Sequence, residues 1–188
     1  MSFKEVNPEK LFFNPFQKIS DWMLITAGDE NGFNTMTASW GGMGVLWNKN
    51  VITTYIRPQR YTKEFVDNHD TFTISFYSSQ YKEALRLLGT VSGRDEDKVA
   101  KSGLTPCFLE GTTAFEEATI VFVCRRLYQD PLKSKNFVAK DIIKECYPEK
   151  DYHTMYISEI VKVFIDPEKA APSSKKNPSK TPIPMPRR

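Results

Sequence analysis

Six runs of β-branched and aromatic residues dominate the chain: Trp22 to Ala27, Thr35 to Trp40, Val51 to Ile56, Thr71 to Tyr77, Ala118 to Leu127 and His153 to Ile165. Such runs read as strands. The first two are joined through the tight-turn dipeptide Asn31-Gly32, which predicts an antiparallel hairpin. In the last run Met155, Ile157, Val161, Val163 and Ile165 fall on one face, with Glu159 the only polar interruption, which is the pattern of a half-buried strand. Helical signals are fewer and shorter. Thr62 is placed to cap a helix running to His69 with Glu64 near its positive end, and Ser79 to cap one running to Leu88 and ended by Gly89. A third spans Asp95 to Lys101, with Asp95 as its cap, and stops at Gly103. Hairpin-linked strands without regular strand-helix alternation argue against a doubly wound sheet. They predict a mainly β fold, an antiparallel β-barrel with flanking helices.

With 188 residues, 40% of them hydrophobic, the chain can bury one good core, and the reading expects one domain over residues 1–166. From Pro167 onward "PEKAAPSSKKNPSKTPIPMPRR" is rich in proline and lysine and poor in large apolar side chains. That composition predicts a flexible basic tail over 167–188. The net charge of +3 is mild and the two signs are interspersed, so no dedicated nucleic-acid surface is expected. Residues 1 to 20 carry Lys4, Glu5, Glu9, Lys10 and Lys18 without a sustained apolar run, so neither signal peptide nor membrane anchor is expected, and the location expected is cytoplasmic. Cys107, Cys124 and Cys146 are odd in number and widely spaced, which predicts reduced structural thiols rather than disulfides. Two distant histidines and scattered thiols offer no metal-ligand cluster.

The chemistry concentrates in "NTMTASWGGMGVLWNKNVITTYIRPQRYT", Asn34 to Thr62, which lacks the nucleophile and base spacing of a hydrolase. Thr37, Ala38 and Ser39 are short enough to let a flat ligand lie along a strand, and Trp40 offers an aromatic wall. The same residues also suit an ordinary barrel strand with hydroxyls facing solvent. Arg57, Arg60 and Thr62 stand where a strand runs into a helix N-terminus, where guanidinium groups and free amides can converge on a phosphate. Surface arginines paired with carboxylates are the competing reading. "GTVSGRDEDK", Gly89 to Lys98, is a second anion candidate: Gly89 and Gly93 permit strained conformations, and Ser92, Arg94 and Lys98 add donors. Neither a Walker A nor a G-x-G-x-x-G fingerprint is present.

"NTMTASWGG", "YIRPQRYT", "TFTISF", "GTVSGRDEDK" and "DYHTMYISEI", in that order, resemble the flavin reductase family with an FMN-binding split barrel, including its flavoredoxin-like members. The resemblance spans about Phe12 to Ile165. It implies a homodimer of antiparallel split barrels with flavin in clefts at the subunit interface. It places Thr37, Ala38, Ser39 and Trp40 beside the isoalloxazine, Arg57, Arg60, Thr62, Ser92 and Lys98 around the phosphate, and Tyr55 and Ser75 nearby. Trp47 is a candidate to cover the partner's flavin.

The implied chemistry is hydride transfer from NADH or NADPH to FMN, with electrons passed onward, possible recipients including an acceptor protein. No catalytic side chain is expected, because the cofactor carries the reaction. Many family members place a Gly-Asp-His motif near the last strand; here the text is Asp151-Tyr152-His153, so the histidine matches and the aspartate is out of step. His153 is therefore the candidate nicotinamide contact, against the reading that it satisfies a local hydrogen bond. Two functions stay open: an NAD(P)H-dependent FMN reductase, and a flavin-binding electron carrier reduced by a partner protein.

Overall fold

The computed structural model of the chain describes residues 2–170. Its strands are β1 (Lys4–Val6), β2 (Met23–Asp29), β3 (Gly32–Ala38), β4 (Gly41–Leu46), β5 (Lys49–Ile56), β6 (Thr71–Phe76), β7 (Pro106–Leu109), β8 (Thr112–Phe115), β9 (Ile120–Pro131) and β10 (Thr154–Ile165). The helices are α1 (Pro15–Ser20), α2 (Tyr61–Asn68), α3 (Lys82–Thr90), α4 (Lys98–Ser102), α5 (Asp141–Cys146) and α6 (Pro167–Ala170). One antiparallel sheet runs β3-β2-β6-β9-β10-β5-β4, and β7 with β8 forms a separate hairpin. The split arises on β10, which pairs with β5 over Thr154 to Glu159 and with β1 over Val163 to Ile165. The edge strands β3 and β4 are joined by Ser39 and Trp40 and do not pair with each other. The expected mainly β, split-barrel architecture with flanking helices is the observed one.

Inward-facing apolar residues explain why this sheet curls. Ile25, Ile52, Ile56, Phe72, Ile74, Phe76, Phe122 and Tyr156 form one buried cluster, each large side chain contributing about 1.5–3 kcal/mol on burial. A second cluster packs Leu85 and Leu88 of α3 with Leu104 and Phe115 onto Leu24. Strand β2 thus has core on both faces and is buried from Met23 to Gly28, a continuous rather than alternating pattern.

The last strand departs from the predicted single face. Ile160 pairs with Cys124 but Lys162 with Val123, so Val161 is an extra residue, and Ile157/Ser158 marks a second register shift. A bulge reverses the alternation beyond it. Tyr156, Ser158 and Ile160 face inward before the bulge and Val163 and Ile165 after it, while Val161 points to solvent.

Turns and caps supply further corrections. The β2–β3 hairpin forms as expected, but its two-residue loop is Glu30-Asn31, closed by the Asn31 amide donating to Asp29 Oδ1 at 2.8 Å. The β4–β5 turn at Trp47-Asn48 (φ 52° and 57°) and the β7–β8 turn at Glu110-Gly111 (φ 52° and 75°) have both central residues left-handed, the type I′ arrangement, and neither hairpin is predicted from sequence. Trp22, expected in β2, has φ 80° and lies outside it. Helix α2 starts at Tyr61 with Arg60 in the cap position and no side-chain cap; the Thr62 hydroxyl instead accepts from Asn34 Nδ2 at 2.8 Å. Ser79 opens a short 3-10 turn, not α3, and α3 continues through Gly89 to Thr90. Neither Gly89 nor Gly93 has positive φ. They are small for another reason: a Cβ on Gly89 would meet Thr37 at 3.0 Å, and one on Gly93 would meet Asn34 Oδ1 at 2.3 Å. Asp97, not Asp95, caps α4, which does end at a left-handed Gly103.

The expected domain boundary at 166 falls at a clasp. Buried Asp166 accepts from Ser2 Oγ and from the Glu168 and Lys169 amides, starting α6, and hydrogen bonds from Lys169 and Ser2 push its carboxyl down to about 2. Of the flexible tail expected over 167–188, Pro167–Ala170 instead form α6, held by Asp166, and the remainder lies outside the described residues. No helix among the described residues is long and apolar enough to cross a membrane, and all three cysteines are free thiols.

Candidate functional site

Three cations converge where β5 runs into α2. Arg57 and Arg60 flank the turn after β5, and Lys98, at the start of α4, reaches the end of α3 with Nζ donating to Leu88 O at 3.0 Å and Val91 O at 3.1 Å. Arg60 Nη1 donates to Gly89 O at 2.7 Å, so two positive groups sit at the negative end of α3. Burial and then repulsion from Arg57 lower the Arg60 pKa, and burial and then Arg60 push Lys98 down to about 8. Lys98 is 4% exposed, and among the described residues neither it nor Arg60 has a carboxylate partner. Desolvated positive charge without a counterion is what an anion would relieve. The first turn of α2, uncapped by any side chain, adds free amides beside Arg60.

Arg57 is different, because it already holds a carboxylate. Its Nη1 is ion-paired with Asp151 Oδ2, its Nη2 donates to Cys146 O at 2.9 Å, and its guanidinium lies 5.3 Å from the Tyr147 ring centre. Gln59 Nε2 donates to the same Asp151 oxygen at 2.8 Å. Burial raises the Asp151 pKa, but the hydrogen bonds from Gln59 and Arg57 outweigh it and the net direction is down. Next to this pair Tyr147 OH meets His153 Nδ1 at 2.9 Å, and the Trp40 ring lies 5.0 Å from the His153 ring. His153 is 7% exposed, and burial followed by repulsion from Arg57 pushes it down to about 4, so it is neutral near pH 7.

The remaining sequence candidates divide. Ser39 and Trp40 are half-buried and connect β3 to β4, and Tyr55 is half-buried opposite Met155. Ala38 packs against the barrel core. Thr37 Oγ1 donates to Leu85 O and so ties β3 to α3, while Thr62 is spent on Asn34. Ser92 Oγ accepts from the Arg94 amide at 3.2 Å. Ser75 is fully buried, in register with Leu24 of the second cluster, and cannot reach a surface ligand. Tyr147 and Asn34 are structurally central but carry no local sequence signal, and "DYH" displays Asp151 without showing that it meets Arg57. Among the described residues no group of three or more His, Cys, Asp or Glu side chains is placed to hold a metal ion.

A split barrel that brings two cations without a carboxylate partner, Arg60 and Lys98, and an ion-paired Arg57 near the Trp40–His153 pair is the arrangement the chain presents. The chain belongs to the flavin reductase-like family, whose domain matches residues 19–178. Comparison with curated proteins finds none that matches. Among solved structures, it is similar to a flavoredoxin of Desulfovibrio vulgaris at 23% identity, covering 88% of this chain and 78% of that one, with a TM-score of 0.62. It is similar also to an FMN-binding domain of a flavin reductases-like enzyme from Shewanella baltica, at 15% identity, 87% and 77% coverage and a TM-score of 0.64. Nitrilotriacetate monooxygenase component B from Bacillus cereus shares 15% identity, with 87% and 81% coverage and a TM-score of 0.62. At these identities the likeness establishes the fold.

Proposed function

We propose that the chain binds FMN and reduces it with NADH or NADPH, electrons then passing onward. The observation that carries this reading is the pair Arg60 and Lys98, desolvated and without a carboxylate, beside the uncapped start of α2. The family and the FMN-binding and flavoredoxin relatives support the choice of ligand. The residues fit the group: Arg60, Lys98 and the first amides of α2 hold the phosphate, Ser39 and Trp40 border the ring system, and Tyr55 adds a half-buried wall. When bound, FMN supplies the hydride-accepting chemistry, and the chain orients it, neutralises its phosphate and screens it from water.

A pH titration tests the phosphate contact. Lys98 loses its proton near pH 8 in the free protein, whereas a phosphate dianion favours the protonated form. Binding above that pH therefore takes up a proton, and FMN affinity relative to riboflavin should fall by up to roughly tenfold per pH unit above about 8. The fall should vanish in Lys98→Met. A ratio that stays flat to about pH 9.5 in the wild-type protein would remove Lys98 from the site.

The second reading, an electron carrier reduced by a partner protein, is favoured by one observation: His153, the residue expected to meet the nicotinamide, is covered by Tyr147 and Trp40. Free thiols fit a reducing compartment such as the cytoplasm. A homodimer is proposed through the β4–β5 hairpin, whose tip leaves Val45 74% and Trp47 54% exposed beside Leu46. Sedimentation should then show a wild-type dimer and a Val45→Glu/Trp47→Glu monomer; a monomeric wild-type protein would exclude this interface.

A further inference from the structure

The segment between β9 and β10 is a long excursion held down at few points. From Lys133 to Lys150 only Tyr147 is buried, and α5 contributes no buried residue. Val138, almost fully exposed, and Ile142 face solvent. The segment packs mostly on itself: the Tyr147 ring lies 5.7 Å from Phe137 and 4.9 Å from Tyr152, and Phe137 lies 5.8 Å from Tyr152. Its polar attachment to the barrel at this end passes through Arg57, Gln59 and His153, with Gln59 Nε2 donating to Asp151 Oδ2 at 2.8 Å. Arg57 meets the Cys146 carbonyl, the Tyr147 ring and the Asp151 carboxylate, and the remaining tie at α5 is the Tyr147 hydroxyl on His153 Nδ1.

We infer that residues 133–150 form a lid over the Trp40–His153 pair, latched by Arg57 on Asp151 and the Cys146 carbonyl, with Gln59 sharing the Asp151 carboxylate. A segment with a single buried side chain has little apolar surface to hold it, so its opening free energy is set by these polar contacts. The latch is built to release. Asp151 Oδ1 is buried without a hydrogen-bond partner, so closure leaves half of the carboxylate unsatisfied and opening rehydrates it. Opening carries Tyr147 away from His153 and uncovers the face against which Trp40 rests. The purpose of the lid, admission of a nicotinamide to that face, rests on the proposed function; the motion does not.

The test uses the full-length protein without flavin or nicotinamide, so failure of FMN binding would leave its result readable. Hydrogen-deuterium exchange is followed in peptides covering 141–150 and, as internal reference, those of β5 and β10. Asp151→Asn keeps the shape and removes the charge, and exchange in 141–150 should become roughly tenfold faster while the strands stay unchanged. Arg57→Lys keeps a cation for Asp151 but loses the planar fork that also reaches Cys146 O, and should fall between the two. Wild-type exchange rates in 141–150 for both variants would overturn the latch. Acceleration spread evenly over β5 and β10 would overturn it too, by making Arg57–Asp151 a part of the barrel's global stability.

Discussion

Replacing Phe122 by alanine should lower the unfolding free energy by about 3–5 kcal/mol, a large fraction of the roughly 5–15 kcal/mol that holds a folded domain together. Phe122 sits on β9 between Ile74 of β6 and Val163 of β10 in the pairing register, and is 1% exposed. Its ring lies 6.0 Å from Phe76 in an edge-on arrangement and 6.1 Å from Phe13, which brings the N-terminal segment onto the barrel. Truncation removes the transfer energy of the ring and leaves a cavity between strands whose backbone pairing prevents collapse. Urea denaturation measures the loss; a change below about 1 kcal/mol would mean that the barrel interior is not where the stability resides.

The next largest effect is expected at Arg60. Removing its guanidinium should weaken FMN by about 1.5–3 kcal/mol, roughly 10- to 150-fold, with a much smaller change for riboflavin. The comparison matters because Arg60 also donates to Gly89 O at the end of α3, so some loss through local destabilisation reaches both ligands alike. Only the phosphate contact separates them. Fluorescence titration with each flavin reads the difference, and equal weakening would assign Arg60 to the helix end and not to a ligand. Arg57→Ala should discriminate less between the two flavins, because Arg57 already spends its charge on Asp151.

How far the sequence reveals this molecule depends on the range of the interaction involved. Four of the six strand runs fall within two residues of the observed limits, β3 begins three residues before its run and β9 extends four residues beyond its run, because β-branched and aromatic runs declare themselves locally. Strand β4 escapes notice because Gly41, Gly42 and Gly44 dilute its pattern, and its turn uses Trp47-Asn48, where a glycine would have been the signal. The face of β10 is misread because a bulge at Val161 is a property of pairing with β9, not of the β10 sequence. Helix starts shift because Thr62 and Ser79 have the right chemistry for caps, but tertiary partners or a 3-10 turn take precedence. At the site, the types of residue were legible: Arg57, Arg60, Lys98, Trp40 and His153 do gather. Which charge is free was not, since the carboxylate that occupies Arg57 comes from a residue 94 positions away. Ser75 shows the converse, a polar residue suited to a ligand edge that the sheet registers into the core.

The most direct test of the central claim is an absorbance spectrum between about 350 and 500 nm, taken of the full-length protein with FMN and repeated after anaerobic addition of NADH and then NADPH. The account predicts that FMN binds and that its visible absorbance bleaches with one of the two nicotinamides without any partner protein. Bound flavin that stays oxidised with both would contradict the reductase and leave the carrier, and failure to bind FMN would contradict the account itself.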